Sequence, residues 1–205
     1  PRLAERQSQL DPRAGGAAAV FEAARNIACT GARPAAITNC LNFPNPEKGH
    51  TGWRLAQAIA GMSDACVALG TPVVSGNVSL YNESATPVVG MVGLLEDAAR
   101  SVGHAFSQEG DVVLLVGEGQ PRLDGSDYLG RAEGHPTPPD ADVEVALCAF
   151  LADAAGQHKR RLMRASRETC RERRGASRLT QGAEGSVWVG TDGAGYLARL
   201  QALGI

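Results

Sequence analysis

The run Val73-Val74-Ser75-Gly76-Asn77-Val78-Ser79-Leu80-Tyr81-Asn82-Glu83 constrains this chain more than any other stretch. Successive side chains of a strand point to opposite faces, so the run predicts a row of Val74, Gly76, Val78 and Leu80 opposite a row of Ser75, Asn77, Ser79 and Tyr81. The first row is expected to face a core and the second to be polar. Helices to cover the apolar row are legible on either side. Ala17, Val20, Phe21, Ala24, Ile27 and Ala28 recur at helical spacing up to Gly31 and Pro34, after an opening segment to about Gly15 that is polar and interrupted by Gly and Pro. Leu55, Ala56, Ile59, Met62, Cys66 and Leu69 recur likewise between Trp53 and Leu69, with Gly70 placed as a C-terminal stop. Between the two helices Ala35-Ala36-Ile37-Thr38 reads as a short strand leading into a loop from Asn39 to Pro46. Val-rich runs at Pro87–Leu95 and Asp111–Gly117 predict further strands, 121–140 is loop-like, and Asp142–Ala155 predicts a helix. Helix, strand, helix, strand, strand is an α/β or α+β order.

Composition narrows the class. With 43% hydrophobic and 20% charged residues, the chain has the makings of a packed core rather than of disorder. No apolar run approaches the ~18 residues that span a bilayer, and the N-terminal residues lack the order of a signal peptide, so a soluble, cytoplasmic protein without membrane contact is expected. Cys29, Cys40, Cys66, Cys148 and Cys170 include no C-x-x-C pair and read as reduced thiols, not as a disulfide framework or zinc site. Residues 1–157 carry 10 basic and 18 acidic side chains whereas 158–205 carry 10 and 4, which marks a compositional boundary. The eight arginines between Lys159 and Arg178 are not interleaved with aromatics. They read as a solvated or disordered basic tail rather than as a nucleic-acid platform. The chain begins at Pro1 and ends at Ile205 without an evident stop to the pattern, so a fragment is expected.

Chemistry is expected on the polar row. Gly76 lets a backbone or a phosphate approach closely, Asn77 offers a neutral hard oxygen of the kind Mg²⁺ accepts beside phosphate oxygens, and Ser79 puts a hydroxyl on the same face as Asn77. The alternative, a half-solvated antiparallel strand whose polar face meets water, stays open on pattern alone. Asn39, Asn42 and Asn45 form a second polar group after a strand end, where α/β folds tend to place ligands; turn chemistry is the competing explanation. Cys40 lies among them with no neighbour that would make it a nucleophile. His50, His104, His135 and His158 have no partner at metal spacing.

Four runs in order carry a family resemblance: EAARNIACTGARPAAITNCLNFPNPEKG from Glu22, ACVALGTPVVSGNVSLYNES from Ala65, TPVVGMVGLLED from Thr86 and GDVVLLVGEGQPRLDGSDYL from Gly110. Over about residues 10–130 the chain resembles the synthetase subunit of phosphoribosylformylglycinamidine synthase, in the aminoimidazole ribonucleotide synthetase superfamily. The resemblance implies a mixed, largely antiparallel sheet flanked by helices, and a parent enzyme that is an ATP-dependent amidoligase of purine biosynthesis. That enzyme converts formylglycinamide ribonucleotide to the amidine with ammonia from a glutamine amidotransferase subunit. It further implies that Asn39 and Gly76 contact ATP, that Asn77 binds Mg²⁺ and that Ser79 contacts the substrate. Implied partners are the amidotransferase, a small accessory subunit and a pseudo-symmetric first-half domain. Val88, Val89, Met91 and Val92 are the strand expected at a buried partner interface.

On this basis residues 1–107 correspond to a second-repeat N-type domain, 108–157 to the start of a C-type domain, and 158–205 to a divergent basic tail, frameshifted or disordered. The family's first half, with its catalytic histidine and its lysine and carboxylate groups, has no counterpart here, which implies a catalytically incomplete piece. Two departures stand within the matched region. Pro44 replaces a family glycine, removing an N–H and fixing φ, and the hairpin between Glu83 and Pro87 is several residues shorter than usual. Two other functions remain compatible with the resemblance: a scaffold holding structural ADP without turnover, and a related superfamily kinase or synthetase.

Overall fold

A computed structural model of the 205-residue chain describes residues 3–103, 114–116, 135–156, 162–163 and 187–189. In chain order the elements are α1 (Leu3–Leu10), α2 (Pro12–Ala28), β1 (Arg33–Asn42), α3 (Thr51–Leu69), β2 (Val73–Ser79), β3 (Thr86–Leu94), β4 (Leu114–Val116), α4 (Ala141–Gly156), β5 (Leu162–Met163) and β6 (Val187–Val189), with a 3-10 turn at Ala98–Arg100. Of the predicted loop at 121–140, residues 135–140 are described and carry no helix or strand, while 121–134 and most of the basic tail lie outside the described residues. Contacts divide the chain into two compact units, Pro1–Ala24 with Pro34–Val92 and Leu123–Ala141, and Arg25–Arg33 with Gly93–Arg122 and Asp142–Ile205.

The opening segment is helical rather than irregular. Asp11 Oδ1 accepts the N–H groups of Arg13 and Ala14, both at 3.0 Å, and Pro12 follows as the first helical residue. A capping aspartate before a proline that has no N–H to lose is a favourable helix start. Gly15 and Gly16 do not break α2. A Cβ at Gly15 would collide with Ser8, and one at Gly16 with the Ala58 carbonyl, so both glycines mark close approach. Gly61 does the same for α3, pressed against the Arg13 carbonyl. This crossing rotates α3 from the expected face: Ala58, Gly61, Met62, Ala65 and Cys66 are buried, while Ala56 and Ile59 are exposed. At its end Gly70 adopts φ 67°, with Thr71 N–H on Cys66 O at 3.0 Å and Gly70 N–H on Val67 O at 3.2 Å, the Schellman arrangement that the glycine predicts.

The core of the first unit joins Val20 and Phe21 of α2, Ile37 and Leu41 of β1, Phe43, and the inward residues of α3. Its sheet has the order β2-β1-β3. β1 and β2 are parallel, pairing Thr38 with Ser75, Asn39 with Gly76, Cys40 with Asn77, Leu41 with Val78 and Asn42 with Ser79. On the other edge Gly90 lies beside Thr38 and Gly93 beside Arg33, so β3 runs antiparallel to β1. The sheet is therefore mixed, with less antiparallel pairing than expected. β2 and β3 do not form a hairpin either. β1 lies between them, and the chain from Ser79 to Thr86 crosses its C-terminal end, where Phe43 N–H donates to Ser79 O at 2.8 Å and Phe43 O accepts from Asn82 N–H at 3.2 Å.

This topology overturns the predicted apolar row of β2. Val74 and Val78 are 66% and 55% exposed, and only Leu80 of that row is packed on the core. α2 and α3 cover central β1, and β2 is an edge strand whose outer flank they do not reach. In β3 alternation divides the expected interface strand: Val89 and Met91 pack on the core, whereas Val92 and Leu94 stand exposed.

In the second unit α4 presents Glu144, Leu147, Cys148, Leu151, Ala152 and Ala155, a stripe at helical spacing that is buried throughout. Ala28, Cys29 and Ala32 are buried in the same unit. Gly31, at φ 90°, would bring a Cβ to 3.2 Å from Ala155 Cβ. The short strands form a second sheet, β4-β6-β5, with both pairs parallel.

Candidate functional site

The residues singled out from sequence meet where β1 and β2 run side by side. Asn39 to Asn42 belong to β1 rather than to a loop, because their pairing with Gly76 to Ser79 outweighs the turn preference of asparagine. Parallel register then decides which side chains share a face. Cys40, Asn42, Asn77 and Ser79 lie on one face; Asn39 and Gly76 lie on the other.

On the second of these faces, a Cβ at Gly76 would collide with Asn39 Oδ1 and stand 3.0 Å from Asn39 O. The space that the missing side chain leaves is filled by the carboxamide of Asn39. Gly76 thus serves a close approach, but by a neighbouring side chain rather than by an open cradle.

On the first face the polar atoms form two short chains. Cys40 Sγ donates its proton to Asn42 Oδ1 at 3.6 Å, and Asn77 Nδ2 donates to Cys40 Sγ at 3.8 Å. The amino group of Asn77, on an exposed strand, is engaged by the sulfur, so Oδ1 is the amide atom that Cys40 does not engage. At the strand end Asn82 Nδ2 donates to Ser79 Oγ at 2.9 Å and to Ser79 O at 3.0 Å. Ser79 Oγ accepts from Asn82, so the hydroxyl proton of Ser79 is available to donate elsewhere. The arrangement offers one neutral oxygen acceptor and one hydroxyl donor, two residues apart on one strand.

The three asparagines of the predicted polar loop have separate tasks. Asn39 covers Gly76, Asn42 accepts from Cys40, and Asn45 Oδ1 accepts the Glu47 N–H at 2.8 Å in a local turn. Asn45 is turn chemistry. Cys40 and Asn82 were not expected to organise the site; the spacings Cys40-x-Asn42 and Ser79-x-x-Asn82 are the only sequence signals of it. Pro44 follows a residue whose N–H and carbonyl are both bonded, and the Asn45 turn comes directly after. Cys29, Cys40, Cys66 and Cys148 form no disulfide, and among the described residues no group of three or more His, Cys, Asp or Glu could hold a metal ion. Among the described residues no helix is long and apolar enough to cross a membrane.

Residues 3–95 match the family described as AIR synthase related protein, N-terminal domain. The phosphoribosylformylglycinamidine synthase subunit PurL of Moorella thermoacetica is 52% identical over 163 residues, which are 74% of this chain and 22% of the relative. The subunit of the same name from an Anaeromyxobacter species is 52% identical over 148 residues, 67% of this chain and 19% of the relative. The chain thus spans about a fifth of the length of these curated relatives. Among solved structures, T. maritima PurL complexed with ATP is 34% identical, with 49% of this chain and 18% of that chain covered and a TM-score of 0.44.

Proposed function

We propose that this chain, whose residues 3–95 match the AIR synthase related protein, N-terminal domain family, is part of an ATP-dependent carbon–nitrogen ligase of purine biosynthesis. In this reading the parent enzyme amidates formylglycinamide ribonucleotide, and the present residues contribute a magnesium-nucleotide surface without a complete catalytic centre. Residues 1–107 correspond to the N-type domain of a second repeat and 108–157 to the opening of a C-type domain. A first-half domain, a glutamine amidotransferase subunit and a small accessory subunit complete the assembly in the cytoplasm. The relatives' shared name and 52% identity support the chemistry assigned to the parent.

The observation that carries the site is the amide of Asn77, exposed on β2 with its nitrogen, not its oxygen, bonded to Cys40. Magnesium accepts one or two protein oxygens when phosphate oxygens and water complete its octahedron. A neutral face suits that division of labour, because among the described residues no acidic or imidazole cluster would hold the ion without a polyphosphate. Bound magnesium supplies neutralisation of the charge on transferring phosphate oxygens. Asn77 Oδ1 would hold it and Ser79 would donate its proton to a substrate oxygen, while Asn39 and Gly76, the residues assigned to ATP, lie on the opposite face of the same strand pair.

Calorimetric titration of the full 205-residue chain with ATP, with and without Mg²⁺, tests this reading. Magnesium-dependent binding that Asn77→Ala weakens is the expected result, without phosphate release. Binding that is equal in both proteins, or absent, refutes the site. Phosphate release on addition of formylglycinamide ribonucleotide would instead show a complete catalytic centre.

A further inference from the structure

We infer that Cys40 is a positioning residue, which selects the rotamer of Asn77 that presents its oxygen to a cation. The inference rests on the reading of Asn77 as a cation ligand. A carboxamide turned by half a revolution exchanges oxygen for an amino group of nearly the same shape, and only the oxygen can coordinate. On an exposed strand, water by itself discriminates poorly between the two. Cys40 supplies the discrimination through three features that hold together. It stands in register with Asn77 across the parallel pair, so the sulfur is beside the amide. Its single proton is committed to Asn42 Oδ1, two residues along the same strand face, at 3.6 Å. The sulfur lone pairs are therefore what Asn77 meets, and Nδ2 donates to them at 3.8 Å. The inverted amide would set Oδ1 against those lone pairs, acceptor facing acceptor.

Asn42 matters as much as the thiol. Without its oxygen to receive the proton, Cys40 could turn its S–H toward Asn77 and stabilise the unproductive rotamer. The direction of the relay, from Asn77 through sulfur to Asn42, is set at the Asn42 end. Sulfur hydrogen bonds are weak, so the relay biases the amide without locking it.

The test uses the full chain with Mn²⁺ and ATP, free manganese being read by electron paramagnetic resonance, and with matched circular dichroism of every variant. Cys40→Ala is expected to weaken manganous nucleotide binding about 2- to 10-fold, the range of one modest hydrogen bond. Cys40→Ser, which keeps a donor and an acceptor, is expected to restore most of the loss, whereas Cys40→Val, which fills the space with neither, is not. Asn42→Leu should resemble Cys40→Ala, and Asn77→Ala should lose more than either. In the unliganded chain, the Asn77 side-chain amide protons should exchange faster with water after Cys40→Ala, a readout independent of nucleotide. If Cys40→Ala binds and exchanges as the unaltered chain does while Asn77→Ala is weak, the positioning role is overturned and the reading of Asn77 stands. If Asn77→Ala is itself unchanged, or the unaltered chain takes up no manganous nucleotide, both fall.

Discussion

Arg25 and Glu144 form an ion pair with both side chains only 5% exposed, fixing the start of α4 within the second unit. Burial decides its energetics. Two charges taken from water lose solvation that their attraction only partly restores, so the pair adds little net stability, yet removing one partner strands the other. Glu144→Gln, which takes the carboxylate from a guanidinium side chain only 5% exposed, is expected to cost about 3–5 kcal/mol. For a chain of this length that corresponds to roughly 6–20 °C in Tm. Arg25→Met should cost a comparable amount. The double variant Arg25→Met/Glu144→Leu buries no charge and should return to within about 2 kcal/mol of the parent, so that with the single Glu144→Leu costing about as much as Glu144→Gln the coupling energy is at least ~4 kcal/mol. Amide exchange in α4, read with urea unfolding, reports the opening of this unit directly. Arg13–Asp64, at 2.7 Å but 57% and 59% exposed, is the control: Asp64→Asn should cost below ~1 kcal/mol and less in high salt. Single substitutions in the buried pair that cost as little as the exposed control, or a double variant that loses the full sum, would refute the reasoning.

Three further outcomes follow from packing and ionisation. Burial, partly offset by Arg25 and reinforced by Glu144 and Cys29, pushes the Cys148 thiol up to about 12 from its ordinary 9.0. The folded state therefore keeps a proton that the unfolded chain gives up, so stability intact below about pH 9 should fall toward pH 12 by up to ~1.4 kcal/mol per unit; Cys148→Ala should flatten urea midpoints measured across that window. Burial raises the Cys66 thiol in the same direction, partly offset by the neighbouring Thr71, so part of the slope should survive. Gly61→Ala improves helix propensity by ~1 kcal/mol but drives a methyl into the Arg13 backbone carbonyl, which cannot rotate away. Overpacking of about 1–3 kcal/mol should win, so chemical denaturation should show a net loss. Gly76→Ala should destabilise by a similar ~1–3 kcal/mol and by less in an Asn39→Ala background, since the carboxamide is then gone and only the Asn39 carbonyl at 3.0 Å remains in the way.

Elements whose causes are local can be read from the residues alone. The helical spacing of Val20, Phe21 and Ala24 predicts α2, Gly70 marks the end of α3 because its left-handed conformation is cheap only for glycine, and the Val-rich runs predict β2 and β3. Asp11-Pro12 is a local signal of the helix start as well, whereas the value of Gly15 and Gly16 as contact points depends on another part of the chain. The pairing of Asn77 with Ser79 on one strand face was legible for the same reason, since alternation is a property of the backbone. Partners distant in sequence were not. Only the order β2-β1-β3 left Val74 and Val78 uncovered at an edge, and only parallel register set Cys40 beside Asn77 and Asn39 over Gly76. Alternation says which side chains share a face; burial and hydrogen bonding depend on what the rest of the fold brings against that face, which no window of a single strand contains.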